Sequence, residues 1–207
     1  IVVDGYLDIT ADTDEVTVTI TGNHDEKVYN GSEQKVTGYT TDVGEKTISV
    51  VLNETGKDTA KGTNVGHYEM GLKAEDFTVT SANYSNIKVI VVDGYLDITA
   101  DTDEVTVTIT GNHDSKVYNA AEQSVTGFTT DVGEKTITVA LKEGHKAEAK
   151  GTDVGKYDMN LKAADFDVTS TNYSNIKVIV VDGYLDITAD TDEVTVTITG
   201  NHDSKVY

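Results

Sequence analysis

One 29-residue segment occurs three times in this chain. Ile90–Tyr118 and Ile179–Tyr207 are identical, and Ile1–Tyr29 differs from both only at Glu26, where the others have Ser115 and Ser204. The starts at Ile1, Ile90 and Ile179 set a period of 89 residues. A domain-sized unit copied this closely and joined head to tail marks an array, in which each unit supplies length or multiplicity rather than its own chemistry. The repeated segment brackets two inserts of 60 residues, so each insert has a copy on either side. Between the two full copies, 1–89 and 90–178, 19 positions differ. The differences concentrate in a polar stretch, Asn53-Glu54-Thr55-Gly56-Lys57-Asp58-Thr59 against Lys142-Glu143-Gly144-His145-Lys146-Ala147-Glu148. Loops accept substitution more readily than packed strands, so this stretch reads as a loop.

A chain of 207 residues with this period has room for two domains, each burying a modest core. Its formal charge of −20, from 36 acidic and 16 basic residues with no arginine, repels phosphate backbones and removes the side chain best suited to bidentate phosphate recognition. Nucleic acid is therefore excluded as an expected partner. The absence of cysteine excludes disulfides, thiolate zinc sites and cysteine nucleophiles. No run approaches the roughly 20 apolar residues needed to span a bilayer, so no membrane insertion is expected in this segment. Ile1–Thr10 lacks the basic start and apolar middle of a signal peptide, and the chain reads as a piece of a longer protein.

Strand patterns dominate one period. Glu15–Thr21 (EVTVTIT) places Val16, Val18 and Ile20 on one face and Thr17, Thr19 and Thr21 on the other, a period of two that predicts a half-buried strand. Ile87–Val92 and Tyr95–Thr99 flank Asp93-Gly94, a pair that predicts a hairpin because both positions tolerate positive φ. Further strands are expected over Lys35–Thr40, Lys46–Leu52 and His67–Leu72, with Asn53–Gly66 as a polar loop. Leu72–Phe77 is the one helical candidate, and one turn is the most it supports. About six or seven strands per period result. The expected fold is all-β: two tandem β-sandwich or β-grasp-like domains, each with at most one short helical turn.

Two framings of the repeat stay open. In one, residues 1–15 end a preceding repeat, 16–104 and 105–193 are full repeats, and 194–207 begin another. In the other, interlaced units 1–118 and 90–207 share 90–118. Tyr95–Thr110 contains neither proline nor glycine, which favours a long strand shared between neighbouring domains; a short polar linker at Ala100–Asp103 is the alternative.

Several motifs together carry a resemblance. Lys27-Val28-Tyr29-Asn30-Gly31, Val36-Thr37-Gly38-Tyr39, Gly62-Thr63-Asn64-Val65-Gly66-His67-Tyr68, Leu72-Lys73-Ala74-Glu75-Asp76-Phe77 and Asp93-Gly94-Tyr95-Leu96-Asp97-Ile98-Thr99 resemble the tandem repeats of large bacterial cell-surface proteins and adhesins. Those repeats are Ig-like or β-grasp-like modules, some named for a Tyr-Asp-Gly motif. Here the motif reads Tyr29-Asn30-Gly31 and Tyr118-Asn119-Ala120. The resemblance implies an extracellular or wall-anchored stalk and no catalysis. It also brings in the Lys-to-Asn isopeptide bond of such stalks, for which Lys88 and Lys177, near Asn83, Asn86, Asn172 and Asn175, are the residues at hand.

The candidate sites each have a plain structural reading. Asp12, Asp14 and Glu15 recur as Asp101, Asp103, Glu104 and as Asp190, Asp192, Glu193, a D-x-D-E cluster with enough oxygen donors for calcium. A solvated acidic linker is the simpler use of such a run. Gly22-Asn23-His24-Asp25, repeated at 111–114 and 200–203, sets a histidine beside an aspartate but offers no nucleophile, and reads as a turn. His67 becomes Lys156 in the second copy, so a repeated function does not need it as a ligand or base. Tyr29, Tyr39, Tyr68, Tyr84 and Tyr95 suit sugar stacking, but half-buried packing with the hydroxyl at an edge is the commoner use. No catalytic residue, cofactor or metal site is assigned. Two functions remain: a rigid spacer whose partners are the neighbouring repeats, or a multivalent adhesin module that binds a host glycan or protein through its variable loop or threonine face.

Overall fold

A computed structural model describes residues 1–44, 46–133 and 135–207. The chain divides into two compact units, one of residues 1–105 with 170–176 and the other of 106–169 with 177–207. Among the described residues, 1–11 and 193–207 lie outside the strands.

The first unit contains β1 (Val16–Gly22), β2 (His24–Val28), β3 (Gln34–Thr37), β4 (Tyr39–Asp42), β5 (Ser49–Leu52), β6 (Thr59–Gly62) and β7 (Gly66–Glu69). A single 3₁₀ turn at Ala74–Asp76 precedes β8 (Phe77–Thr80), β9 (Ile87–Val92) and β10 (Tyr95–Thr99). The second copy repeats this order as β11 (Val105–Gly111), β12 (His113–Val117), β13 (Gln123–Thr126), β14 (Phe128–Asp131), β15 (Thr138–Leu141), β16 (Glu148–Gly151) and β17 (Gly155–Asp158). A 3₁₀ turn at Ala163–Asp165, β18 (Phe166–Thr169), β19 (Ile176–Val181) and β20 (Tyr184–Thr188) complete it. The fold is all-β and sandwich-like, as expected.

In the first unit β1 lies between β4, antiparallel, and β9, parallel, with Val16 opposite Ile87 and Thr21 opposite Val92. A second three-stranded sheet centres on β10, between β2, parallel, and β7, antiparallel. The pairs β3–β6 and β5–β8 are antiparallel ribbons. Thus the first two strands of the repeat run beside the last two, and both chains pass from one sheet to the other at the same level, at Gly22-Asn23 and at Asp93-Gly94.

That crossing corrects the hairpin expectation. β9 and β10 do not pair with each other; they belong to different sheets, so Asp93-Gly94 is a corner. Gly94 is needed there for space. A Cβ on Gly94 would strike the carbonyl oxygen of Asn23, and one on Gly22 would strike the backbone nitrogen of Gly94. The Asp93 carboxylate fixes the corner by accepting the N–H groups of Gly71 (2.9 Å), Leu72 (2.8 Å) and Gly94 (2.9 Å). The second copy repeats the arrangement with Gly111, Gly183 and Asp182.

The core forms where the two sheets face each other. Val18 and Ile20 of β1 and Leu96 and Ile98 of β10 are buried, and Tyr29, Ala60, Met70, Leu72 and Phe77 pack with them. Each of the buried Val, Ile, Leu, Met and Phe side chains contributes on the order of 1.5–3 kcal/mol by leaving water. Strict alternation in β1 therefore settles which face turns inward, as the sequence predicts.

Other expectations change in detail. Lys35–Thr40 is split by Gly38, whose φ of 89° ends β3 and starts β4 in a new direction. The loop Asn53–Gly66 contains strand β6, and Phe77–Thr80 is strand β8 rather than the tail of a helical turn. His24 and Asp25 open strand β2 and are not a turn. Tyr95–Thr110 is two strands, β10 and β11, separated by residues 100–104.

Gly22→Ala and Gly94→Ala are each expected to destabilise the first unit at or beyond the upper end of the ~1–3 kcal/mol typical of overpacking. Gly200→Ala, where nothing approaches the added methyl, should be neutral. Urea denaturation of the three variants checks this, and equal midpoints would contradict it.

Candidate functional site

The acidic cluster is a turn built by its own first carboxylate. Asp101 Oδ1 accepts the N–H of Asp103 at 2.9 Å; Asp12 does the same for Asp14 at 3.0 Å, and Asp190 for Asp192 at 2.9 Å. Such an Asx turn diverts the backbone from strand geometry, which is why β10 does not run on into β11. Among the described residues no three His, Asp or Glu side chains gather as a metal-binding group, and this cluster is no exception. Asp101, Asp103 and Glu104 are thus adjacent in sequence, with the first of them committed to the backbone.

This turn is gripped from outside. The N–H of Asp101 donates to the carbonyl of Asn172 (2.9 Å), the N–H and hydroxyl of Ser174 donate to the carbonyl of Asp101 (2.9 and 3.0 Å), and Val105 N–H donates to Asn175 O (2.9 Å). Asn175 Nδ2 adds a bond to Thr102 O at 3.2 Å. The first copy has the same set: Asp12 to Asn83 (2.7 Å), Ser85 to Asp12 (2.9 Å) and Val16 to Asn86 (2.9 Å). In both, the loop before the penultimate strand of a repeat holds the residues that lead into that repeat's first strand.

The loop 170–176 makes further contacts inside the first unit. Asn172 is only 1% exposed. Its Oδ1 accepts Val65 N–H at 2.9 Å, and its Nδ2 donates to Asn64 Oδ1 at 3.0 Å. Tyr173 sets its ring edge-on to Tyr29, with centroids 5.4 Å apart. Desolvation raises the Tyr173 phenol above its ordinary pKa, and the neighbouring Tyr29 hydroxyl and Asp101 carboxylate push it the same way. A neutral phenol thus suits this seat. Sequence reasoning considered Asn172 only for a covalent bond and missed this role.

The histidines lean on tyrosine. The Tyr95 ring has His24 stacked on it at 5.3 Å and His67 tilted against it at 4.9 Å. His67 Nδ1 lies 2.6 Å from Asp97 Oδ1, and its side chain is half exposed. In the second copy His113 stacks on Tyr184, and Lys156, in the place of His67, puts its ammonium 4.1 Å from the Tyr184 ring centre. The common element is a group able to cover a tyrosine face beside a carboxylate. Asp25, next to His24, instead accepts Glu26 N–H and approaches Lys27 at 3.5 Å. The other tyrosines pack: Tyr39 meets Phe77 edge-on at 4.9 Å, and Tyr68 covers Gly62 while its hydroxyl donates to Asn64 O at 2.8 Å.

The variable loop changes side chains and keeps the hydrogen bonds of its turn, although Gly144 has a φ of 83° where its equivalent Thr55 is not left-handed. Asn53 Nδ2 donates to Glu75 O at 3.0 Å, and Lys142 Nζ donates to the equivalent Ala164 O at 2.8 Å. The tight turn persists too, from Gly56 N–H to Asn53 O and from His145 N–H to Lys142 O. Lys88 reaches Glu15 at 3.7 Å with its side chain exposed, while Asn83 and Asn86 bond to Thr47 and Thr13. The structure does not bring Lys88 and these asparagines together. Comparison with protein-family models, curated proteins and solved structures finds no match.

Asn172→Ala leaves the Val65 N–H without its partner and is expected to cost the first unit about 1–3 kcal/mol in chemical denaturation. Asn83→Ala, at an exposed position, should cost less, and the reverse order would contradict the assignment. His67→Lys should change stability by no more than about 0.5 kcal/mol, because Lys156 already fills that place. A larger loss in thermal unfolding would give His67 a role that lysine cannot fill.

Proposed function

We propose that this chain is part of a non-catalytic, extracellular stalk: spacer repeats of a bacterial surface protein that hold an adhesive or binding domain away from the cell. The observation that carries this reading is the grip on residues 101–105. The segment joining β10 to β11 has its backbone bonded to Asn172, Ser174 and Asn175 within one compact unit, so it is not a free tether. A chain connected this way favours stiffness over reach by flexibility. The near-identity of the copies and the high acidic charge fit a part that is multiplied for length and kept soluble by self-repulsion. Neither calcium nor another cofactor is part of the proposal, because the Asp101 carboxylate already closes the turn. Catalysis is not proposed either: the histidines that suggest acid–base chemistry cover tyrosine rings, and one of them is replaced by lysine.

Adhesion by the repeats themselves is the second reading. It is favoured by one observation, that side chains of the 53–59 and 142–148 loops change while the hydrogen bond that closes the turn stays, the pattern of a presented surface.

Proteins of two, four and six repeats, compared by small-angle X-ray scattering, should show a maximum dimension that grows by a constant increment per repeat. Growth as the square root of repeat number would mark a flexible string and overturn the stalk. Binding of the isolated repeats on a glycan and matrix-protein array would favour the second reading.

A further inference from the structure

The chain contains a single Asn-Gly pair, Asn30-Gly31, and the second copy has Asn119-Ala120 in its place. Both asparagines are exposed. Their side chains fold back in the same way: Asn30 Oδ1 accepts the N–H of Ser32 at 3.0 Å, and Asn119 Oδ1 accepts that of Ala121 at 3.0 Å. The residue between is left-handed in each copy, with φ of 77° at Gly31 and 60° at Ala120. Space does not demand glycine, since an added methyl at Gly31 would meet only the Tyr29 hydroxyl, 4.0 Å away. The carboxamide nitrogens of Asn23, Asn53, Asn83 and Asn86 are tied to Thr37, Glu75, Thr47 and Thr13. Among the described residues, neither Asn30 Nδ2 nor the Gly31 N–H has a partner.

We propose that Asn30 is a self-modifying site, which deamidates through a succinimide with water as its only co-reactant. The Gly31 nitrogen attacks Asn30 Cγ, its proton passes to the carboxamide nitrogen, the Cγ–Nδ2 bond breaks and ammonia leaves. Water then opens the five-membered ring. Breaking the new bond from the Gly31 nitrogen to Cγ gives aspartate, and breaking the original peptide bond gives isoaspartate. The loop serves this chemistry twice. The Ser32 N–H on Oδ1 stabilises the negative charge that grows on that oxygen as Cγ is attacked, and it holds the carboxamide folded toward the backbone that attacks it. Glycine serves it a third time, because no Cβ crowds the ring and the backbone turns freely to close it. Ala120 sets a methyl at that point, so Asn119 reacts slowly despite its equivalent hydrogen bond. Either product adds one negative charge to the formal −20, and isoaspartate also lengthens the backbone between β2 and β3 by one methylene. The change is one-way and marks the age of one copy but not of the other. The proposal does not depend on the stalk reading, since it rests on the loop 29–32 alone.

Warm incubation of the whole chain at mildly alkaline pH, followed by peptide mapping and mass spectrometry, tests this. The peptide carrying Asn30 should gain about 1 Da and resolve into two products, aspartate and isoaspartate, at least about tenfold faster than the peptide carrying Asn119 changes. Gly31→Ala should lower the Asn30 rate to that of Asn119, and Ala120→Gly should raise the Asn119 rate to that of Asn30. The first variant keeps its fold, because Ala120 already occupies the same left-handed position. Equal rates at Asn30 and Asn119 in the unmodified chain overturn the proposal, as does an Asn30 rate that Gly31→Ala leaves unmoved. A folded chain that stays intact at Asn30 while the same chain in urea gains the mass there also overturns it, because the loop would then protect the pair.

Discussion

Everything in each repeat depends on two backbones crossing between sheets at one point, glycine against glycine. Because β1 pairs with β9 and β2 pairs with β10, the chain at the start of the repeat and the chain at its end must change sheets together. Any side chain at Gly22 or Gly94 would hold them apart. Once they cross, Val18 and Ile20 on one sheet meet Leu96 and Ile98 on the other, and the core follows. The β-rich VTVTIT run, hazardous at an edge, becomes a central strand covered by β4 and β9. The cost is kinetic, since parallel pairing of distant strands must wait for the whole insert to be placed.

The same pairing explains why the thrice-repeated segment is the joint. It supplies the second half of β9 and all of β10, which close one repeat, and the opening strands β11 and β12 of the next. Between them lie the five residues from Ala100 to Glu104, too few for a crossover of their own. An Asx turn at Asp101 gives the bend, and the loop 170–176 gives the hydrogen bonds that an exposed strand end would lack.

The alternating strand β1, the all-β class and the single short 3₁₀ turn were legible in the sequence because they depend on local periodicity and composition. Asp93-Gly94 was misread because the same two residues serve a hairpin or a corner; what decides is the partner across the sheet. β6 hid in a polar loop because one small side chain, Ala60, is all of it that is deeply buried. The acidic cluster revealed its oxygens but not their use, which is to hold the backbone. Asn172 was beyond any local pattern, since its partners Asn64 and Val65 are more than a hundred residues away in sequence.

The central claim is that residues 101–105 belong to a folded unit and are not a connector between two. Amide hydrogen exchange followed by NMR tests it residue by residue. The N–H groups of Asp101 and Val105, bonded to Asn172 and Asn175, should be protected to a degree comparable with Ile98 in β10. Exchange as fast as that of the exposed residues 2–9 would contradict it.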